Sequence, residues 1–146
     1  MADTFQLDIV TPERMVVSEQ VEELQLPGRK GYLGILAGHA PLITELAAGE
    51  ITYRKKGDAN VTRLAVAWGF AEVLPGKTTM LAEIAERPEE IDVEGAKKVR
   101  AHALEKLKSA AEEHDVYHYT REYEAAEAKL EVAARAGIGD MANIVP

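Results

Sequence analysis

A chain of 146 residues is long enough for one domain with a sound core, or for a compact domain carrying an appendage. Its 25 acidic residues outnumber 17 basic ones, and the net charge of −8 excludes a nucleic-acid binder, which needs a basic surface to displace counterions from phosphates. Cysteine is absent, which excludes disulfide and thiolate chemistry and suits a reducing compartment.

The start, Met1-Ala2-Asp3-Thr4, has neither the profile of a secretory signal nor that of an Arg-rich transit peptide. No apolar run approaches the roughly 20 residues that span a bilayer, so any membrane association is expected to come through a partner. Phe5, Leu7 and Ile9 then alternate with Gln6 and Asp8, which predicts a half-buried strand ended by Pro12. Leu24 and Leu26 flank Gln25 ahead of an expected turn at Pro27-Gly28.

The run from Gly34 to Thr44, GILAGHAPLIT, carries glycines and a proline too closely spaced for a helix, yet Ile35, Leu36, Leu42 and Ile43 call for burial. It predicts strands meeting at a tight corner with His39 at the bend. Ile51 and Tyr53 alternate with Thr52 and Arg54, and Lys56 to Asn60 supply hairpin chemistry. Val61 to Trp68, Phe70 to Leu74 and Thr78 to Leu81 complete the period-two half, with a turn at Pro75-Gly76. Turn signals at this spacing predict an antiparallel β-sandwich over residues 1–88, built from about eight to ten strands.

From residue 89 onward the period changes to that of a helix. Asp92 is the expected N-cap of a first helix, with Glu94 favourable in its first turn. Ala96, Val99, Ala103, Leu107 and Ala110 share one face of it. Tyr119, Tyr123, Ala126, Leu130 and Ala133 share a face of a second helix, which Asp115 would cap and Gly137 would end. Two helices joined by a short connection predict an antiparallel α-helical hairpin over residues 89–146, with a short C-terminal tail, so the fold class is α+β. The seam is mostly alanine, which buries little area per residue, so the hairpin needs a surface to dock on and is a candidate to undock.

Chemistry is hard to find in these residues. His114 and His118 stand four apart with Asp115 between them, resembling a zinc-binding helix motif, but the segment falls where the helical pattern breaks. Asp115 is better explained as a cap than as a catalytic base. Gly28 to Gly34 is glycine-rich but precedes a strand, so no helix N-terminus would receive a phosphate. Ser18 and Ser109 have no neighbouring histidine and no nucleophile elbow. No catalytic constellation, metal site or cofactor is predicted.

Val10-Thr11-Pro12, the Gly34–Thr44 run, Trp68-Gly69-Phe70-Ala71-Glu72-Val73 and the charged hairpin together resemble the epsilon subunit of bacterial F-type ATP synthases. The resemblance extends from about Phe5 to about Ala136, with Ala37 where that family usually has proline and Trp68 where it has its first glycine. It implies a non-catalytic rotor subunit of the central stalk, coupling rotation of the proton-driven c-ring to ATP synthesis. The implied partners are the gamma subunit, the c-subunit ring and, in an inhibitory state, the beta subunit. The implied location is peripheral, at the cytoplasmic face of the plasma membrane. His39 and Thr44 would meet gamma, and Arg29, Lys30 and Gly31 would meet the c-ring. Arg121, Lys129 and Arg135 would be the regulatory cations of the hairpin, although Glu122, Glu124, Glu127 and Glu131 leave the second helix slightly acidic.

Many bacterial members of the family it resembles also bind ATP weakly at the start of the first helix. The matching run here is Ile91 to Ala96, in which Asp92 and Ala96 are retained but Gly95 stands at the arginine position. Without that guanidinium fork, ATP binding is expected to be weak or absent. Rival readings are a ligand-binding β-sandwich of lectin type, a helical scaffold protein, and a small zinc hydrolase.

Overall fold

In a computed structural model, which describes residues 3–138, strands come first and helices last. The strands are β1 (Phe5–Val10), β2 (Met15–Gly28), β3 (Gly31–Leu36), β4 (Leu42–Leu46), β5 (Gly49–Lys55), β6 (Thr62–Leu74) and β7 (Lys77–Glu86). A 3₁₀ turn (Pro88–Glu90) leads into α1 (Val93–Ser109) and α2 (Glu113–Arg135). A β-sandwich followed by a helical hairpin is the architecture expected. The expected C-terminal tail, residues 139–146, lies outside the described residues.

Seven strands replace the eight to ten expected, because two of them are long and change partners midway. β2 pairs first with β1, then with β5, and finally with β3. Pro27 and Gly28 are therefore strand residues, and the turn falls one step later, at Arg29-Lys30. β6 pairs with β5 from Thr62 to Val66 and with β4 from Gly69 to Val73, while β7 runs along its other edge. One pairing, β1 with β7, is parallel, and it draws the two ends of the strand region together.

The hand-over in β6 occurs at Trp68 and Gly69, with φ of 62° and 125°. Gly69 is obligatory, since a Cβ there would stand 1.9 Å from the carbonyl oxygen of Leu81. Trp68 holds a left-handed conformation that costs a non-glycine residue roughly 1–2 kcal/mol. The core lies between the sheet faces, where Phe5, Leu7, Ile9, Leu26, Ile51, Tyr53, Leu64 and Met80 are essentially inaccessible. These are the inward positions of the period-two pattern.

The hairpin docks through α2, which packs on β5, β6 and the 3₁₀ turn, while α1 packs on α2. Asp92 caps α1 as expected, its carboxylate accepting the Gly95 N–H at 3.0 Å. Asp115 does not cap α2; that helix begins three residues earlier than such a cap would place it, with Glu112 at the cap position and no side-chain cap bond. At the far end Gly137 adopts φ 75°, and the N–H groups of Gly137 and Ile138 bond to Ala134 and Ala133. This is a Schellman stop. Ala96, Ala103, Ala126, Leu130 and Ala133 of the predicted seam are buried, whereas Val99 is exposed and lines a cavity instead.

Candidate functional site

The corner predicted at His39 joins β3 to β4. Gly38 takes φ 84° and its N–H bonds to the carbonyl of Pro75, which pins the corner to the β6–β7 turn. His39 is half-buried, and its Nδ1 lies 2.7 Å from the carbonyl oxygen of Ala40. Thr44 lies on the inward side of β4 with Leu42 and Leu46, next to Gly28, whereas Ile43 and Glu45 face outward.

Arg29 and Lys30 form the turn between β2 and β3, and Gly31, at φ 132°, opens β3. The Arg29 guanidinium lies 2.7 Å from the Glu45 carboxylate, and that hydrogen bond pushes its pKa above the usual arginine value. This turn and Thr44 line one groove of about 440 Å³, so residues expected to serve two different partners are neighbours.

Sequence reasoning passed over the outward face of β4, β6 and β7. Phe70 stands opposite both Glu45 and Leu81, and Ile43 lies one diagonal step from Phe70. Ile43, Phe70 and Leu81 are 70%, 54% and 57% exposed, on three adjacent strands. Glu45, Glu72 and Glu83 flank them on the same face. The alternation of β6 after the break at Gly69 was a signal that Phe70 points outward, because Ala71 and Val73 are buried.

The hairpin meets the sandwich in two chemically distinct ways. Near the end of α2, Val132 and Ala133 pack with Ala65 and Ile91 in a small apolar cluster. Farther toward the tip the contacts are polar. The Lys129 ammonium lies 2.8 Å from Glu86, and Arg121 lies 3.1 Å from Glu83. The Arg121 guanidinium also stacks 4.3 Å over the centre of the Trp68 ring. At the base, Arg135 reaches Glu50 at 3.3 Å, and Arg63 holds the same carboxylate oxygen at 2.8 Å. All three hairpin cations singled out from the sequence are thus paired with glutamates of the sandwich.

A cavity of about 550 Å³ lies between the hairpin and the sandwich, and Asp92, Gly95 and Ala96 form part of its wall. Its other charged groups are Glu83, Glu86, Glu90, Glu122, Arg121 and Lys129, and His118 also lines it. Glu90 is held below the usual carboxylate range, first by the Arg87 backbone N–H and then by Arg14. These residues do not fit ATP. The carboxylates outnumber the cations, Arg121 and Lys129 are already paired, and Asp92 is occupied as a helix cap. A polyphosphate would meet net negative charge and no guanidinium fork free to receive it.

Among the described residues no cluster of three metal-ligating side chains occurs. His118 instead lies 3.3 Å from Glu122, and its ring meets Tyr119 edge-on. No helix of the described residues is long and apolar enough to cross a membrane.

Residues 4–88 match the family model of the ATP synthase delta/epsilon chain β-sandwich domain. The ATP synthase epsilon chain of Koribacter versatilis is 57% identical over 113 residues, covering 77% of this chain and 78% of that one. That of Geotalea uraniireducens is 40% identical over 137 residues, covering 93% and 98%. Among solved structures, a chain in the Euglena gracilis mitochondrial ATP synthase (OSCP/F1/c-ring) superposes with a TM-score of 0.77 at 24% identity. It covers 92% of this chain and 83% of that one, and shares its fold.

Proposed function

The chain belongs to the family of ATP synthase epsilon chains, non-catalytic subunits of the central stalk, and we propose how its surfaces divide that work. The two units divide near residue 88. The sandwich binds the gamma subunit and the c-ring, and so passes rotation of the ring to the catalytic head. The hairpin regulates, restraining ATP hydrolysis when it meets the beta subunit. Association with the membrane is peripheral, through the complex, at the cytoplasmic face of the bacterial plasma membrane.

The observation that carries the gamma assignment is the outward stripe of Ile43, Phe70 and Leu81. A torque-bearing contact needs apolar anchors on rigid elements, and these three stand on paired strands rather than on loops. His39 stands at the corner that leads into β4, whereas Thr44, on the inward side of β4, contributes by supporting the Arg29 turn. Arg29 and Lys30, in an exposed two-residue turn, and Gly31, which follows it, are the c-ring contact.

Phe70→Glu tests the gamma surface. Burying a phenylalanine contributes about 1.5–3 kcal/mol, so the variant should bind isolated gamma at least roughly tenfold more weakly. Its folding should be intact, because the side chain already faces solvent. Unchanged affinity in a titration against gamma would refute the assignment.

A further inference from the structure

We propose that Trp68, Arg121 and Glu83 form a clasp that holds the tip half of the hairpin against the sandwich and keeps its cations from an acidic partner surface. Trp68 adopts a left-handed backbone conformation where glycine would be free of strain, and the strained residue is the one that presents a ring to α2. Its indole lies under the Arg121 guanidinium, which is simultaneously paired with Glu83. Trp68 and Glu83 stand opposite each other between the register pairs Ala67–Ile84 and Gly69–Ala82, so β6 and β7 present ring and carboxylate together. Tyr117, one helical turn before Arg121, places its ring 5.4 Å from the same guanidinium and its hydroxyl 3.3 Å from it.

The location matters as much as the geometry. The apolar cluster that α2 shares with the sandwich side, Val132 and Ala133 against Ala65 and Ile91, lies near the base of the hairpin. On the tip side of Ala125 no residue of α2 is buried, and cavities flank Trp68 and Arg121, so little apolar burial secures that stretch. The tip half is therefore fastened by charge and by the cation–π contact. The glutamates that hold Arg121, Lys129 and Arg135 occupy the positions an acidic partner would take, so docking and partner binding exclude each other. Salt screens such contacts far more than it screens apolar ones, so ionic strength should loosen the tip before the base. The regulatory consequence rests on the hairpin reading above; the clasp itself does not.

Hydrogen exchange on the full-length chain tests the clasp, with Trp68→Gly and Arg121→Gln as the variants. Trp68→Gly removes the ring while relieving the backbone, so the sandwich should keep its fold. Both variants should speed amide exchange over residues 117–128 by on the order of tenfold, leaving β6 and β7 protected. Exchange over that segment at the wild-type rate in either variant would overturn the clasp, as would a rise shared equally by the strands. Since Trp68 is the only tryptophan, acrylamide quenching of its emission gives a second reading. Accessibility should rise from low to molar sodium chloride in the wild type, and a salt-independent signal counts against the proposal. In the reconstituted enzyme, Trp68→Gly keeps all three cations and should lower ATP hydrolysis. If hydrolysis is unchanged while exchange responds, the regulatory reading fails and the clasp stands.

Discussion

Thr78 carries a hydroxyl into the sandwich core, where the residue is fully buried and its Oγ1 has no hydrogen-bond partner. An unsatisfied buried hydroxyl carries its desolvation penalty of about 1–3 kcal/mol without return, and valine has the same shape. Thr78→Val should therefore stabilise the chain by about 1 kcal/mol, read as a higher urea midpoint with an unchanged slope. A lower midpoint would show that the hydroxyl has a partner in solution. Trp68 poses the opposite problem. It is visible in the sequence as a departure from glycine before Gly69, but its meaning lies in Arg121, a residue of another element. Residue identity disclosed the anomaly, and only the docked hairpin disclosed its use. Ile43 and Phe70 were missed for a related reason, because apolar residues in a strand suggest burial until the face they share with Glu72 is known.

At the scale of elements, chemistry local to the chain was readable and long-range pairing was not. Asp92 with Gly95 made a cap, and Gly137 made a stop, because each needs only its immediate neighbours. A Cβ at position 95 would lie 2.3 Å from Oδ2 of Asp92, a contact that a small rotation of that carboxylate would relieve. Asp92→Ala should cost about 1 kcal/mol at the start of α1, whereas Asp92→Asn should retain most of the cap. Exchange of the first-turn amides of α1 distinguishes the two, and equal exchange in both variants would remove the cap's importance. The strand count was overestimated because a strand that leaves one neighbour for another looks, in sequence, like two strands with a break. Trp68-Gly69 is such a break in β6, and register alone reveals that β7 continues past it.

For the whole molecule the question is which unit depends on the other. The principal core, from Phe5 to Ala85, is made of strand-region residues alone, so the sandwich has what it needs to fold without helices. The hairpin lacks a comparable core. Its buried residues are mostly alanine, and the cluster it shares with Ala65 and Ile91 takes only Val132 and Ala133 from the helices. Dependence therefore runs one way, which is the arrangement a movable regulatory arm requires. A chain ending at Arg87 should remain folded, keep its β-sheet circular dichroism, and bind gamma with unchanged affinity, since Ile43, Phe70 and Leu81 lie within it. It cannot place Arg121, Lys129 and Arg135 against the beta subunit, so ATP hydrolysis by the reconstituted enzyme should rise several-fold. Hydrolysis equal to that of the full-length enzyme, with gamma binding intact, would show that the hairpin has no inhibitory role. Loss of gamma binding by the shortened chain would instead place part of that interface on the helices, against the assignment to the outward face of β4, β6 and β7.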